Sequence, residues 1–243
     1  MQTVNFEKGE ILSFTKPYGW TSFQVVSRAR GVLKRILKTR KIKVGHAGTL
    51  DPLATGVLIV CTGKATKKIE ELQSHTKEYI ATLKLGATTP SYDRETEEDC
   101  SYPTAHITEE LLRSTLKQFV GSIQQVPPVF SAVKIDGKRA YSFARKGEEV
   151  QLGAKTIVID EIELLDCNIP ESVRIRVVCS KGTYIRALAR DIGESLQSGA
   201  YLTDLCRTRI GDFRIDSCLN IEEFGPWVES CNIEREETKS GNQ

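Results

Sequence analysis

Between Glu10 and Asp51 the sequence has no acidic residue, while nine basic ones occur there: Lys16, Arg28, Arg30, Lys34, Arg35, Lys38, Arg40, Lys41 and Lys43. Asp51 is therefore a lone carboxylate at the edge of a basic stretch. A carboxylate there is poorly placed to bind a polyanion and better placed to act on one. Other absences narrow the class. No apolar run approaches the ~20 residues of a membrane span. The opening MQTVNFEKGEILSF has no basic region followed by an apolar core, so no signal peptide is expected. The seven cysteines (61, 100, 167, 179, 206, 218 and 231) are odd in number, scattered and without a CxxC pair. That pattern argues against structural zinc and a disulfide framework, and for a reducing cytoplasm. Only three histidines occur, at 46, 75 and 106, too widely spaced to suggest a metal site. A nucleotide-binding P-loop is missing too. Gly63-Lys64-Ala65-Thr66 echoes one, but six residues separate Gly56 from Gly63 and Ala65 follows the lysine. No G-x-S-x-G elbow, paired-carboxylate spacing or Cys/His dyad stands out.

What is present describes a globular protein of 243 residues, 40% hydrophobic and 27% charged, long enough for one large domain or two small ones. Net charge is only +2, yet it is unevenly spread. The basic first fifty positions contrast with Glu222, Glu223, Glu229, Glu234, Glu236 and Glu237 near the C-terminus. Such asymmetry suits a nucleic-acid face with an acidic tail elsewhere; a solvated helix face explains the charge alone equally well. With no repeat, low-complexity linker or clear boundary before about residue 225, one domain over 1–225 and an acidic tail over 226–243 are expected.

Along the chain, Ile11 to Phe14 reads as a strand and Thr21 or Ser22 as the cap of a helix. In that helix Val25, Val26, Ala29, Val32, Leu33, Ile36 and Leu37 form an apolar stripe, with cations on the other faces. Gly56 to Cys61 reads as a buried strand and Lys64 to Leu72 as a helix. Tyr79 to Leu85 alternates like a half-buried strand. Thr88 to Pro103 is loop or edge strand, and Thr108 caps a helix to about Phe119. Val126-Pro127-Pro128-Val129 can be neither central strand nor helix interior. Asp136-Gly137 marks a hairpin turn after Ser131 to Ile135. Strands are expected at Thr156 to Leu165, Val173 to Cys179 and Gly211 to Ile215, and a helix from Thr183 to about Gln197. Strands and helices mix without regular βαβ alternation, which favours an α+β fold with a mixed sheet.

The stretch from Gly45 to Leu58, GHAGTLDPLATGVL, carries the strongest chemical signal. It sets His46 and Asp51 among glycines and a Pro-containing turn, just before an apolar strand. Asp51-Pro52 also fits a helix start, since Asp is a favoured cap and Pro a favoured first residue. Gly56 follows so soon that any helix there is about one turn, which fits a full cap poorly and leaves a catalytic role for Asp51 open beside it. His46 reads most simply as a structural hydrogen-bonding residue. Tyr79 is either a packed core aromatic or a ring for stacking on a base. Arg186 falls early in an apolar helix, where a buried charge needs a partner. A carboxylate from a distant segment would serve, and Asp51 is the candidate the sequence offers.

Taken together these segments resemble the TruB family of tRNA pseudouridine synthases. The likeness runs from Lys16-Pro17-Tyr18-Gly19-Trp20-Thr21-Ser22 through Gly45 to Leu58, Lys77-Glu78-Tyr79 and Val126-Pro127-Pro128-Val129-Phe130-Ser131-Ala132. It continues through Cys179-Ser180-Lys181-Gly182-Thr183-Tyr184-Ile185-Arg186 to Leu205 and Arg207-Thr208-Arg209. The resemblance implies the pseudouridine synthase fold, a mixed, mostly antiparallel central sheet flanked by helices and loops. It implies an isomerase that converts uridine to pseudouridine at position 55, in the T-loop of tRNA, without cofactor or metal, acting as a monomer. Asp51 matches the nucleophile, either attacking sugar or base or taking a proton from C2′. Arg186 matches its paired arginine. Tyr79 matches the tyrosine that stacks on the flipped base and serves as a base at C5. His46 matches the histidine that holds the rearranged loop, and Tyr184 and Leu205 match further pocket residues. The basic helix and the Lys38 to Lys43 run would supply phosphate contacts that offset base extrusion.

Two departures stand out. About twenty residues follow Phe224, so the small C-terminal RNA-binding (PUA) domain of many members is not expected. Cys206 stands where a basic residue is expected after Leu205. Two rivals remain: a non-catalytic RNA-binding or tRNA-folding protein, disfavoured by the intact Asp51, Tyr79 and Arg186 set, and a synthase of this fold acting on another RNA.

Overall fold

The stretch without acids becomes the helix Ser22–Leu37. Thr21 caps it: its hydroxyl accepts from the Gln24 N–H while the Gln24 side chain takes the Thr21 N–H, a reciprocal capping box. Its apolar stripe is buried as the period demands, through Val25, Val26, Ala29, Val32 and Leu33. One exposed position in mid-helix, Gly31, has no side chain, at a cost of about 1 kcal/mol relative to alanine.

The computed structural model describes residues 2–131, 134, 135, 138, 139 and 152–234. It divides into two compact units, residues 1–75 with 207–243 and residues 76–206. The boundary after Cys206 falls within one strand, Ala200–Ile210. A mid-strand boundary leaves no linker signature to read.

In the first unit, strand Ile11–Lys16 pairs antiparallel with Thr55–Thr62, which pairs antiparallel with Val44–His46. Leu219–Asn220 adds a parallel edge to Ile11–Lys16. The end of the long strand turns back, with Arg209 opposite Arg214 and Ile210 opposite Phe213. The basic helix packs its stripe on Leu12, Phe14, Leu58 and Val60 and on a second helix, Phe224–Ser230. Phe14 and Phe224 meet edge to face, with ring centroids 5.0 Å apart. Asn232–Ile233 then pairs parallel with Thr3–Val4. The segment expected as a tail from residue 226 is thus folded as far as residue 234, because Phe224 and Val228 belong to the core. Glu236 and Glu237 lie outside the described residues.

In the second unit four strands form an antiparallel sheet: Lys77–Leu85, Ser172–Cys179, Lys155–Asn168 and Gly121–Gln125. Lys77–Leu85 alternates buried and half-buried along its whole length. Helices Glu109–Gln118, capped by Thr108, and Ile185–Ser195 accompany the sheet. The acidic stretch folds back as the short pair Ala87–Thr88 and Cys100–Ser101. Lys134–Ile135 and Lys138–Arg139 pair antiparallel as the expected hairpin requires, while its turn residues Asp136 and Gly137 lie outside the described residues. Both units are α+β with mostly antiparallel pairing, as expected.

Candidate active site

Asp51 lies in the first unit, half-buried, in the loop between strands Val44–His46 and Thr55–Thr62. The loop is fixed at nearly every residue. The Ala47 N–H donates to the Ile59 carbonyl at 2.9 Å. Arg207, 1% exposed, donates through Nε to the Val57 carbonyl at 2.8 Å and through its two terminal nitrogens to the Thr49 and Gly48 carbonyls, each at 3.3 Å. Ser22 takes the Leu50 N–H at 2.9 Å and returns its own hydroxyl to the Leu50 carbonyl at 3.1 Å. The Asp51 carbonyl accepts from Ala54 at 3.1 Å, and the Pro52 carbonyl from Gly19 at 2.9 Å.

Lys16 closes the frame. Fully buried, its Nζ donates to the carbonyls of Pro17 at 2.8 Å, Trp20 at 2.6 Å and Pro52 at 3.2 Å. Three ammonium protons meet three acceptors. Burial pushes Lys16 down to about 8, the Asp51 carboxylate opposing and the Arg207 charge adding to that fall. At the strand end, Gly56 has φ +107° and lies against the Arg207 backbone, where a Cβ would collide. The result is a half-buried carboxylate whose backbone on both sides is held by buried donors, the arrangement a fixed catalytic group needs.

His46 ends its strand opposite Val60, half-buried. Burial foremost and then the Arg207 charge lower its pKa, against a smaller opposing contribution from the Gly48 backbone, so it is a neutral imidazole at pH 7. Outside this frame stand two exposed aromatics, Tyr18 and Phe23, 59% and 64% exposed.

The second unit carries the other expected site residues. Tyr79 is buried in its strand opposite Val177. Tyr184 precedes the helix Ile185–Ser195, and its backbone is held at both ends by buried Gln125: the Tyr184 N–H donates to Oε1 at 2.9 Å and Nε2 donates to the Tyr184 carbonyl at 3.2 Å. Leu205 is buried in the long strand. Arg186 is 4% exposed. It donates to the carbonyls of Ser91 at 3.1 Å and Phe130 at 2.8 Å, and its Nε stands 3.6 Å from Asp93 Oδ2. Asp93, itself buried, also accepts from the Ser91 hydroxyl at 2.6 Å and the Glu95 N–H at 2.9 Å. Asp93 is thus a buried carboxylate beside Arg186 that the sequence reading did not name.

Lys16, Arg207 and Asp93 are the functional candidates that reading passed over. Two had a signal. In Ile11–Lys16 the buried phase is Leu12, Phe14 and Lys16, and in the long strand Leu205 and Arg207 share a phase. A cation on an inward phase asks for buried acceptors. Asp93 sits in an irregular loop and had no such pattern.

Comparison with known proteins assigns the family. The family described as TruB family pseudouridylate synthase (N terminal domain) matches residues 34–185. A protein of Bacteroides fragilis named tRNA pseudouridine synthase B is 66% identical over 95% of this chain and 99% of its own length. One of the same name from Flavobacterium johnsoniae is 50% identical over 92% of this chain and 98% of its own. Among solved structures, a chain of a Cbf5-Nop10-Gar1 complex superposes with a TM-score of 0.68 at 30% identity, covering 93% of this chain and 57% of that one. A chain of an H/ACA RNP bound to a substrate RNA gives 0.64 at 28% identity, with coverage of 92% and 56%. This chain spans little more than half the length of either solved chain. Among the described residues no helix is long and apolar enough to cross a membrane. With the family profile covering more than half of the sequence and relatives at two-thirds identity along nearly all of it, the chain belongs to the TruB family of pseudouridylate synthases.

Proposed function

We propose that this protein isomerises uridine to pseudouridine in tRNA, at position 55 of the T-loop, with Asp51 as the nucleophile. The observation that carries this reading is the frame around Asp51, in which Ser22, Lys16 and Arg207 hold the loop by its backbone. The name tRNA pseudouridine synthase B on relatives 66% identical supports the tRNA substrate.

The chemistry balances without an oxidant or reductant. The C1′–N1 bond breaks, the uracil turns over, a C1′–C5 bond forms, C5 loses its proton and N1 gains one. Asp51 either attacks sugar or base, or takes a proton from C2′. In both routes a carboxylate fixed against the sugar replaces a costly search for orientation. Tyr79 stacks on the extruded base and accepts the C5 proton. Arg186 is the arginine paired with the nucleophile in the family, His46 holds the rearranged loop, and Tyr184 and Leu205 complete the pocket. Extrusion from a folded loop costs a few kcal/mol, which phosphate contacts from the basic segment offset. No step is assigned to a metal or cofactor. The seven free thiols fit a reducing cytoplasm.

Carbodiimide treatment of an unmodified tRNA transcript after incubation with the protein, read by primer extension, tests the substrate. A single new stop at the T-loop uridine is expected. Stops elsewhere, with none in the T-loop, would move the activity to another RNA.

A further inference from the structure

The basic helix Ser22–Leu37 brings an exposed glycine and a group of cations together at one place, and only the helix C-terminus, whose last turn holds Lys34 and Arg35, favours that charge. Gly31 lies in mid-helix and is exposed, and a Cβ built on it meets nothing within 4 Å. Neither crowding nor a left-handed backbone calls for glycine there, while helix propensity argues against it. Its surface neighbours at helical spacing of three and four residues are Ser27, Arg28, Lys34 and Arg35. The three cations among them are exposed, and none makes an ion pair among the described residues; the Arg35 guanidinium lies beside Gly225 of the helix Phe224–Ser230, which leaves Arg28 and Lys34 to flank Gly31. Like charges so grouped repel. Lys38, also exposed, follows one heptad beyond Gly31 on the same side. Arg30 differs: half-buried, it donates to the Val44 carbonyl at 2.8 Å and serves the fold.

A missing side chain rimmed by unpaired cations has the shape and sign of an anion seat. We infer that this notch, Gly31 flanked by Arg28 and Lys34, seats a backbone phosphate of the RNA substrate against the helix. Without a Cβ the sugar-phosphate chain comes close to the helix surface, and the two flanking cations neutralise it. The same helix holds the catalytic loop, since Ser22 in its first turn bonds the Leu50 backbone beside Asp51. A phosphate docked at Gly31 therefore sets the register of the RNA relative to Asp51. This inference rests on the tRNA reading above for the identity of the polyanion.

The test uses the full chain with Gly31→Ala, Gly31→Gln and the double change Arg28→Ala with Lys34→Ala. Melting midpoint, tRNA dissociation constant across a salt series, kcat and KM are measured for each. Both glycine variants melt higher than the parent, because alanine and glutamine are better helix formers. Gly31→Gln nevertheless binds tRNA roughly tenfold more weakly and raises KM with kcat unchanged, and Gly31→Ala does so to a smaller degree. The double variant lowers the slope of log affinity against log salt by about 0.7–0.9 per cation removed. A Gly31→Gln protein that melts higher and binds tRNA as tightly as the parent at every salt concentration overturns the seat. Competition by inorganic phosphate as strong as by tRNA, at equal phosphate concentration, overturns it as well. If the parent and variants follow the expected binding pattern but no protein releases tritium from 5-tritiated uridine, the isomerase reading fails and the seat stands.

Discussion

Lys16 is an ammonium taken wholly out of water and given three carbonyl acceptors, one of them on Pro52 next to Asp51. Its pKa near 8 lies below the 10.5 of the unfolded chain. Between about pH 8 and 10.5 the unfolded state therefore holds the proton that the folded state has lost, so this group makes stability rise with pH across that window. Below pH 8 both states are protonated and its contribution is constant. Because Asp51 supports the charge, Asp51→Asn should move the Lys16 midpoint below 8, as read by NMR of the lysine resonance; an unchanged midpoint would mean the two groups do not interact. Lys16→Met removes three buried hydrogen bonds, although the Pro52 and Pro17 carbonyls keep the Gly19 and Trp20 N–H groups, and should lower unfolding free energy by about 2–4 kcal/mol in a urea melt. Asp93→Asn removes one carboxylate beside buried Arg186 and should cost about 1–3 kcal/mol, more than an exposed Asp change of the same kind such as Asp212→Asn. Asp51 and Arg186 were legible as residue types in unusual settings. Lys16 and Arg207 were hidden because a charged side chain in the buried phase of a strand looks like the end of the strand.

At the scale of elements, the regular pieces were readable and the interrupted ones were not. The helix Ser22–Leu37 and the alternating strand Lys77–Leu85 follow their periods cleanly. Lys64 to Leu72, read as one helix, is a tighter 3-10 segment, Gly63–Lys68, followed by the short α-helix Ile69–Ser74. The long strand Ala200–Ile210 was passed over, because Asp204, Arg207 and Arg209 break its apolar alternation, and a strand was expected instead at Gly211 to Ile215. That segment holds only the two-residue strand Phe213–Arg214 and a 3-10 turn, Ile215–Ser217. Tertiary acceptors for Arg207, invisible to a local pattern, decide the matter. Gly56 is where loop and strand meet that arginine. Gly56→Ala forces a side chain into φ +107° and into the Arg207 backbone, and should destabilise by more than about 2 kcal/mol in thermal or urea unfolding. A protein that unfolds as the parent does would show that the Arg207 clamp is slack.

For the whole molecule, a net charge of +2 conceals a helix and loop with no acid among their cations. Affinity for tRNA should therefore fall steeply with salt, in proportion to the phosphates contacted rather than to net charge, a filter-binding series over sodium chloride giving the slope. A flat response would contradict a basic RNA-binding face. The family, the α+β class and the composite of motifs were legible from the sequence; the division into two units was not, because it falls inside one strand. The central claim is that a carboxylate held by buried Lys16, Ser22 and Arg207 isomerises uridine. Tritium release from 5-tritiated uridine in an unmodified tRNA transcript tests it, comparing the parent chain with Asp51→Asn. Release by the parent and none by the variant, with equal tRNA binding, is the expected result. Release by Asp51→Asn at the parent's rate would contradict the account.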